Sequence, residues 1–511
     1  MKTLNQIKSY FPSGKSKWIK YTLTSLPIIF SAMIFSLNSF VDNFMAIEIP
    51  GGNQALSYSN TWTSICTGII TSTTIVGSSL FGQYWGVDDK VKIREVVRAR
   101  MLIAFSIAII FAIPNISAPQ AMIRLASGFD QNLSQVIVNQ ASQYNRIIAI
   151  SWLLHAWCYT SSMIMRESNF GKASLLSSII CLISNITFNA VFIYGLKEDL
   201  VWLAFSTIIS LTISIIFLTI YTWKFNKKAI FNPIKMFNVS KIVWQQIIRR
   251  SPSFFFATIA SIAVSVRFIF WNIGYPSQSV GANPDYYLSA GTILGISGMF
   301  FNIFWTTIES INANVAIFVG WELGNNNVKQ AKINAKELQG FQFCLALILG
   351  IILFSLSFAI EKMDFLTRGY VTQLKQTLID NGNDLSYVNS ILPLAQNSFL
   401  LNLKHTIWPL AWFMPIWIIF ITESRIISVG GGMTNVTSMV DAIFGIVQTG
   451  WICLINLVIV KHTNLEFPWA YTIFFTSDIF KIFVYGFLYQ KLEWARNITK
   501  EGEKPKSLPI S

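Results

Sequence analysis

Twelve long apolar segments constrain this chain more than any other feature. Each has about twenty residues, enough to cross roughly 30 Å of hydrocarbon as a helix. Hydrophobic residues make up 53% of the 511 positions and charged residues only 12%, so a soluble fold would lack the polar groups that its surface needs. The sequence therefore predicts an integral membrane protein. The predicted spans are 20–46, 58–83, 101–118, 143–165, 173–195, 200–223, 252–274, 288–320, 338–360, 398–425, 436–460 and 468–490.

The distribution of basic residues predicts how these spans are oriented. Lys and Arg are retained on the cytoplasmic side of short loops, and the loops at 47–57 and 273–288 carry none. We therefore expect a multi-pass plasma-membrane protein with both termini in the cytoplasm. The first span is too long for a signal-peptide core and has no small-residue cleavage site after it, so we expect it to be retained. The basic segments are 2–20, 90–100, 224–250 and 491–506.

The same basic residues account for the net charge of +14. They are spread over loops beside the spans, where anionic headgroups attract them, so they favour membrane lipids and not nucleic acid as partners. All five cysteines fall in predicted spans without CxxC spacing, and the chain has only three histidines. The sequence therefore predicts neither a disulfide framework nor a metal site.

The two halves of the chain repeat one unit. The interval from Pro27 to Asp42 recurs as the interval from Pro252 to Arg267, so an acid and a base stand at matching places. Glycine-containing segments also recur where the second and eighth spans end, at 82–89 and 320–327. Each copy has six spans, an even number, so both copies enter the membrane in the same orientation.

These patterns predict an all-α membrane protein with twelve transmembrane helices in two six-helix lobes, related by a pseudo-twofold axis along the membrane normal. Paired lobes of this kind rock about a site near the midplane, which favours a secondary transporter that functions as a monomer. Segments 119–142 and 361–397 are expected to form amphipathic helices at the outer interface. The predicted domains are the amino-terminal lobe at 1–223, a cytoplasmic linker at 224–250, the carboxy-terminal lobe at 251–490 and a cytoplasmic tail at 491–511.

Charged side chains deep inside a span cost about 2.5–3.5 kcal/mol each, so those present are usually functional or paired. Asp42 is interpreted as a proton or cation site, with a hydrogen-bonded acid near the outer interface as the alternative. Arg267 has three open interpretations, namely an anionic substrate, an acid in the cleft such as Asp42, or the outer headgroups as its partner. Arg267 and Glu309, which lies mid-span among Asn residues, are the substrate-cleft candidates.

Four further titratable residues lie in predicted spans. Asp478 and Lys481 are three residues apart and are predicted to form an intrahelical ion pair. Asp441 lies close to the cytoplasmic end of its span, where we expect it to meet headgroups, and His155 is an additional group that can be neutral.

The chain has no phosphate-binding loop, nucleotide-binding fold or catalytic-triad spacing, and the glycine run at 430–432 fits no phosphate motif. We therefore expect a protein that is not an enzyme and has no catalytic residues. No cofactor is expected beyond a coupling ion, either a proton or sodium.

Asn185, Asn189 and Thr207 form a polar ladder through the fifth and sixth spans, for which helix packing is the simplest explanation. The ladder also belongs to an ordered series of motifs in which the chain resembles the multidrug and toxic compound extrusion (MATE) transporters. The motifs are Pro27 to Val41-Asp42-Asn43, Leu80-Phe81-Gly82-Gln83-Tyr84-Trp85-Gly86, Met165-Arg166-Glu167-Ser168-Asn169-Phe170-Gly171, Asn185 to Tyr194-Gly195, and Arg425 to Gly430-Gly431-Gly432.

The resemblance implies export of organic, often cationic, compounds in exchange for protons or sodium ions. It also implies an ion-coupling pocket at Asp42, Asn185, Asn189 and Thr207. Asn189 departs from the pattern, because it stands where many members have a second acid, which weakens the case for sodium and leaves Asp42 as the main titratable group. The seventh-helix Glu of other members has no counterpart in 257–261.

The leading hypothesis is a secondary active transporter that exports small organic compounds, cationic drug-like ones included, by proton- or sodium-coupled antiport with alternating access. The alternative is a flippase for a lipid-linked or amphipathic substrate, whose phosphate Arg267 could meet. A third hypothesis, a membrane scaffold that transports nothing, would leave the acid and the Asn residues dispensable. An exporter should lower the accumulation of soluble dyes, whereas a flippase should change the leaflet in which a lipid is exposed.

Overall fold

The computed structural model describes residues 8–46, 49, 52–127, 135–276, 279–463 and 465–500. These residues form helices and connecting segments without strands, and twelve of the helices are long and apolar enough to cross a membrane. The predicted all-α class and number of spans are confirmed, and the chain is a multi-pass membrane protein. The helices are α1 Lys15–Ala46, α2 Gly52–Gly86, α3 Lys90–Ser117, α4 Gln135–Glu167, α5 Gly171–Gly195, α6 Val201–Phe225, α7 Pro252–Gly274, α8 Ala290–Gly324, α9 Val328–Ile360, α10 Leu385–Gly430, α11 Thr434–Thr463 and α12 Phe467–Lys491.

The helices pack as two groups. In the first half α1 packs against α5, and α4 packs against α2, α3 and α6; in the second half α7 packs against α11, and α10 packs against α8, α9 and α12. The first group has buried apolar clusters around Trp152 and Phe81, and the second has one around Phe399. This packing agrees with two lobes built from a repeated unit. The limits of the predicted domains stay predictions, and a separate helix, Lys241–Arg250, lies in the predicted linker.

Helix α8, in which Asn residues and Glu309 interrupt the apolar pattern, is divided into segments. An α-helical segment at Ala290–Trp305 is followed by a second one at Thr307–Val315 and by a π turn at Ala316–Gly320. Glu309 lies in the first turn of the second segment. The break therefore places this carboxylate at a point where the direction of the helix is not fixed by a continuous hydrogen-bond ladder.

The two lobes approach each other closely at the end of the bundle where the basic segments lie, which we call the basic end. A Cβ atom on Gly86 would lie 2.1 Å from the carbonyl oxygen of Trp321, and one on Gly324 would lie 2.1 Å from that of Gln83. Glycine permits such backbone contact because it has no side chain. The glycine-containing segments that recur in the sequence thus face each other across the lobe interface. The basic end comprises 86–100, 224–250, 320–328 and 491–500.

The segment after α12 binds both lobes at the basic end. The backbone N–H of Ile498 donates to Oε1 of Gln83 at 2.6 Å, and Nε2 of Gln83 donates to the carbonyl of Gly430 at 2.8 Å. Nδ2 of Asn497 donates to the carbonyl of Gly324 at 2.9 Å. The side chain of Ile498 is fully buried in a cluster of the amino-terminal lobe. The first residues of the predicted tail are therefore part of the lobe interface.

The segment before α1 crosses to the carboxy-terminal lobe in a similar way. The backbone N–H of Gly340 in α9 donates to the carbonyl of Tyr10 at 3.1 Å. Nζ of Lys17 lies 2.6 Å from Oε1 of Glu337, a carboxylate that is nearly buried. Both ends of the described chain therefore contribute to closing the basic end.

Besides the helix in the predicted linker, the described residues include two short α-helices outside the spans, Pro119–Ala126 and Arg368–Asp380. The second helix buries Leu374 and Leu378, two of the apolar positions on which the expected amphipathic helix in 361–397 depends. The rest of that segment, from Leu385 onward, belongs to α10. Of the expected helix in 119–142, residues 128–134 lie outside the described residues and the part from Gln135 belongs to α4.

A methyl group added at Gly86 should weaken the contact between the lobes. The new atom would meet the backbone of Trp321, and overpacking of this kind costs about 1–3 kcal/mol. Gly68, in the same helix, has open space at its Cβ position, so Gly68→Ala is the matched control. We expect Gly86→Ala, and not Gly68→Ala, to lower the melting temperature of the detergent-solubilised protein. Equal melting temperatures for the two variants would contradict the close contact.

Candidate functional site

A buried carboxylate lies between α1, α5 and α6 of the amino-terminal lobe. Oδ1 of Asp42 accepts a hydrogen bond from Nδ2 of Asn189 at 2.7 Å, and Oδ2 accepts one from Oγ1 of Thr207 at 3.3 Å. Nδ2 of Asn189 also donates to Oδ1 of Asn185 at 3.1 Å. Three helices thus bring these four polar residues into one cluster, the Asp42 pocket. Their role in ion coupling stays a prediction.

Among the described residues, the carboxylate of Asp42 has neutral partners only. Asp42 is 8% exposed, and the side chains of Asn185 and Asn189 are buried. No cationic side chain of the described residues forms an ion pair with Asp42. Within the same residues, Nδ2 of Asn185 and Oδ1 of Asn189 are buried without a hydrogen-bond partner. A proton or a cation bound here would neutralise a charge that is costly in hydrocarbon and would find oxygen atoms around it.

The helix that carries both Asn residues of the pocket changes geometry directly after them. Its α-helical part ends at Asn189, and a π turn runs from Ala190 to Gly195. Helix α11 has the same feature, because its α-helical part, Thr434–Leu454, is followed by a π turn at Ile455–Val460. Such turns are rare and occur frequently at functional sites. The repeat therefore extends to a local distortion in each lobe.

The carboxy-terminal lobe contains a second polar cluster. Nη2 of Arg267 donates to Oε1 of Gln448 at 2.8 Å, and the guanidinium lies over the ring of Phe474, 5.4 Å from its centroid. Nε2 of Gln448 donates to Oδ1 of Asp478 at 2.7 Å. The predicted ion pair is present, since Nζ of Lys481 lies 2.8 Å from the same carboxylate oxygen.

The other carboxylate oxygen of Asp478 is also occupied, because it accepts a hydrogen bond from Nε1 of Trp417 at 2.7 Å. We call these five side chains, Arg267, Trp417, Gln448, Asp478 and Lys481, the Arg267 network.

The two clusters occupy matching places in the repeat. Asp42 and Arg267 are each fifteen residues beyond the proline that marks the repeat. Asn185 and Gln448 are each fourteen residues beyond the first residue of α5 and of α11. In the amino-terminal lobe, Asp42 of the first helix accepts a hydrogen bond from Asn189 of the fifth helix, and Asn189 also donates to Asn185. In the carboxy-terminal lobe, Arg267 of the first helix donates to Gln448 of the fifth. The lobes thus contain corresponding polar sites with opposite charge at the first-helix position.

Arg267 does not pair with Asp42 in the structure. Its guanidinium contacts Gln448 and Phe474 inside its own lobe, while Asp42 is hydrogen-bonded within the other lobe. The hypothesis of a direct ion pair across the cleft is therefore wrong, while a headgroup contact and an anionic substrate stay predictions. Helices α11 and α12 supply a hydrogen-bond acceptor and an aromatic face close to the arginine, so its side chain is stabilised within its own lobe.

Glu309 forms an ion pair between the lobes. Nη1 of Arg166 lies 2.6 Å from Oε2 of Glu309, whose side chain is 22% exposed. Arg166 itself is buried, and its Nε and Nη2 donate to the hydroxyls of Ser174 and Ser31 at 3.0 and 3.1 Å. This pair joins α8 of the carboxy-terminal lobe to α1, α4 and α5. Whether Glu309 also contacts substrate stays a prediction.

Arg166 is absent from the predicted site because the apolar pattern of the fourth span ends at residue 165. Helix α4 continues to Glu167, whose carboxylate pairs with Nη1 of Arg100 at 2.5 Å. Both side chains of that pair are buried. Two adjacent charges of opposite sign directly after an apolar run were the available signal, because each of them needs a partner once the helix continues into the bundle.

Two other predicted residues lie away from these clusters. The ring of His155 packs beside those of Phe35 and Tyr159, with centroids 5.6 and 5.9 Å away. Oδ1 of Asp441 accepts a hydrogen bond from the hydroxyl of Tyr485 at 2.6 Å. A side chain of α12 is therefore one partner of Asp441, and the expected headgroup contact stays a prediction.

Neutralising either member of the Arg166–Glu309 pair should destabilise the protein. Each single variant, Glu309→Gln or Arg166→Gln, leaves one charge without its partner, which costs about 3–5 kcal/mol when both groups are fully buried. Because Glu309 is partly exposed, we expect a smaller cost here, but one that still lowers the melting temperature of each single variant. In the double variant both charges are gone, so we expect its melting temperature to fall by less than the sum of the two single decreases.

The control for this comparison is the pair formed by Lys404 and Glu361, which are 2.7 Å apart with a more exposed carboxylate. Surface pairs contribute about 0–1 kcal/mol, so the same set of Gln variants should give additive shifts there. Additive shifts at Arg166 and Glu309 as well would contradict a coupled pair between the lobes.

The amino-terminal lobe matches a protein-family model. The family is described as MatE, and the match covers residues 27–191. The matched range includes Asp42, Asn185 and Asn189. A comparison with curated protein sequences gives no match.

Solved transporter structures share the fold over nearly the whole chain. A MATE transporter in complex with MaL6 aligns with a TM-score of 0.69 at 13% identity, covering 95% of this chain and 97% of that one. A MOP-superfamily transporter from Pyrococcus furiosus, for which a reversed polarity of the binding pocket suggests a different function, aligns with a TM-score of 0.70 at 13% identity, covering 95% and 97%. An outward-facing MATE transporter aligns with a TM-score of 0.66 at 12% identity, covering 93% and 95%. The likeness establishes that the arrangement of both lobes is that of these transporters.

Proposed function

We propose that this chain, which matches the MatE family model over residues 27–191 and has the fold of solved MATE transporters, is a secondary transporter that exports small organic compounds by antiport coupled to protons or sodium ions. The observation that supports this most directly is the carboxylate of Asp42, which is buried in the amino-terminal lobe and has amide and hydroxyl partners only. A single uncompensated charge of this kind is neutralised when an ion binds. The coupling ion is the one non-protein group that the mechanism requires.

Ion binding at Asp42 acts on the packing of three helices. The charged carboxylate accepts hydrogen bonds from α5 and α6 and thereby holds α1 against them. A bound proton or cation weakens these hydrogen bonds, because the negative charge that strengthens them is neutralised. An ion can shift the equilibrium between two lobe arrangements only if it binds one of them more tightly. Asp42 supplies that difference if the two arrangements open its pocket to opposite sides of the membrane.

We further propose that the basic end faces the cytoplasm, with both termini on that side of the plasma membrane. The contacts between the lobes at Gly86 and Gly324 and the segment around Ile498 then close the cytoplasmic side. Release of these contacts and of the Arg166–Glu309 pair accompanies opening toward the cytoplasm. One chain contains both lobes, so it functions as a monomer, with membrane lipids around it and a small organic substrate between the lobes.

Removing the charge of Asp42 should abolish gradient-driven export. In Asp42→Asn the pocket keeps its size and one of its two acceptor oxygens but has no group that a coupling ion neutralises. We expect dye efflux from proteoliposomes under an imposed proton or sodium gradient to fall at least tenfold at equal reconstitution. Asp441→Asn, which removes a span acid outside the pocket, should retain efflux. Undiminished efflux by Asp42→Asn would contradict the proposal.

A second carboxylate in the pocket should strengthen coupling to sodium. Nδ2 of Asn189 lies 2.7 Å from Oδ1 of Asp42, and two carboxylates at such a distance cannot both be charged unless a cation lies between them. We expect Asn189→Asp to increase efflux under a sodium gradient at constant pH relative to the natural protein. Efflux by the same proteoliposomes under a proton gradient is the internal control. A variant whose sodium-driven efflux is unchanged would show that a second acid does not build a sodium site here.

A flippase for a lipid-linked or amphipathic substrate is the second candidate function. The observation that favours it is the cation Arg267 in the carboxy-terminal lobe, which is suited to a phosphate group. The absence of dye movement under either gradient, together with a changed leaflet distribution of a fluorescent phospholipid, would favour this candidate over export.

A further inference from the structure

Charge balance in the Arg267 network leaves one cation without an anion. The network contains two cations, Arg267 and Lys481, but a single carboxylate, that of Asp478. Lys481 pairs with this carboxylate at 2.8 Å. Arg267 forms no ion pair with any described residue, and its Nη2 donates to the neutral amide of Gln448. Its Nε is buried without a hydrogen-bond partner among the described residues. A partly buried guanidinium in this state lacks the counter-charge that normally accompanies a charge inside a membrane protein.

The unfilled donors of Arg267 suit an oxyanion. Both oxygens of the Asp478 carboxylate already have partners in Trp417, Gln448 and Lys481, and among the described residues this carboxylate forms its ion pair with Lys481 and not with Arg267. A guanidinium offers parallel N–H groups that match the oxygens of a carboxylate or a phosphate. Arg267 is only partly buried, whereas Gln448 and Asp478 are buried. A ligand can therefore reach the guanidinium without displacing the rest of the network.

Aromatic side chains beside the network define the remainder of the ligand. Trp417 packs edge-on against Trp305, with ring centroids 5.6 Å apart, and against Phe475 at 4.9 Å. Trp305 is 39% exposed, so part of this aromatic surface is open to a bound molecule. An inorganic anion would pair with the charge of Arg267 but would not contact the rings of Trp305 and Trp417. An organic anion with an apolar body would use both.

The position of the network in the repeat also favours an anionic ligand. The matching site of the other lobe holds Asp42, whose negative charge attracts a cation and repels an acid. Arg267 does the reverse and repels a cation at the equivalent place. The two sites can therefore bind a coupling cation and an acidic ligand at the same time without competing.

We propose that the Arg267 network is a binding site for the acidic group, a carboxylate or a phosphate ester, of an amphipathic organic anion. The inference rests on the proposed transport function and names the chemical class of its cargo. Arg267 binds the acidic oxygens, Lys481 keeps Asp478 neutralised, and the rings of Trp305 and Trp417 contact the apolar body.

Isothermal titration of the full-length, detergent-solubilised protein with phenyl phosphate tests the site. We expect saturable binding to the natural protein and an affinity at least tenfold weaker in Arg267→Gln. Arg425→Gln is the matched control, because Arg425 is an arginine of the same lobe that has a buried Nε without a partner and lies outside the network; its affinity should be unchanged. Phenyltrimethylammonium, a cation with the same ring, should not bind at this site.

Unchanged affinity in Arg267→Gln, or equal binding of the ammonium probe, would overturn the proposal. If the Gln variant does not fold, Arg267→Lys decides the question, since it retains the charge but not the paired N–H groups. We expect it to weaken binding severalfold, and an affinity equal to that of the natural protein would count against the site.

Two further experiments distinguish a lipid from a soluble anion as the ligand, and the anion site from the proposed coupling mechanism. Phosphatidylglycerol added to the micelles should compete with phenyl phosphate if the acidic group belongs to a lipid, whereas lack of competition assigns it to a soluble anion. Asp42→Asn should bind phenyl phosphate normally. Loss of gradient-driven transport in that variant with intact binding supports both proposals, while intact transport with Arg267-dependent binding would remove the coupling mechanism and leave the anion site standing.

Discussion

The cost of holding an uncompensated charge in hydrocarbon is the constraint on which both polar sites depend. In each lobe one charged residue of the first helix is stabilised by neutral side chains, an amide and a hydroxyl for Asp42 and an amide and an aromatic face for Arg267. Arg100 and Glu167 show the other solution, in which two buried charges neutralise each other. At the two equivalent first-helix places the partners are neutral, and in the proposed mechanism a bound ligand supplies the counter-charge.

The repeated unit places these charges on helices that, in the proposed mechanism, move relative to the other lobe. In each lobe the fifth helix, α5 or α11, carries both an amide of the polar cluster and a π turn. Contacts between the lobes include those at the basic end and the Arg166–Glu309 pair. Close backbone contact through Gly86 and Gly324 makes that interface sensitive to small displacements. An ion that changes how α1 packs against α5 and α6 therefore acts on a helix that also touches the other lobe.

Much of this architecture follows from residue patterns. The parts that cannot be predicted in this way are explained by particular features of the chain. Twelve apolar runs and the repeated proline interval predict the helices and the paired lobes, since hydrocarbon leaves few alternatives. Asp42, Asn185, Asn189 and Thr207 come together as the motif implies. The partners of Arg267 and Glu309 are not predictable in the same way, because they lie on helices far away in sequence. Arg166 escapes prediction because its helix extends beyond the apolar run.

In the proposed mechanism the charge state of Asp42 controls the arrangement of the lobes. The most direct test is the distance between spin labels at Gln120 and Gln373, one on each lobe away from the basic end, after Cys344 and Cys453 are replaced by serine. We predict that lowering the pH, or adding sodium, shifts the distance distribution of the protein with Asp42 and leaves that of Asp42→Asn unchanged. The same shift in both proteins would contradict the claim.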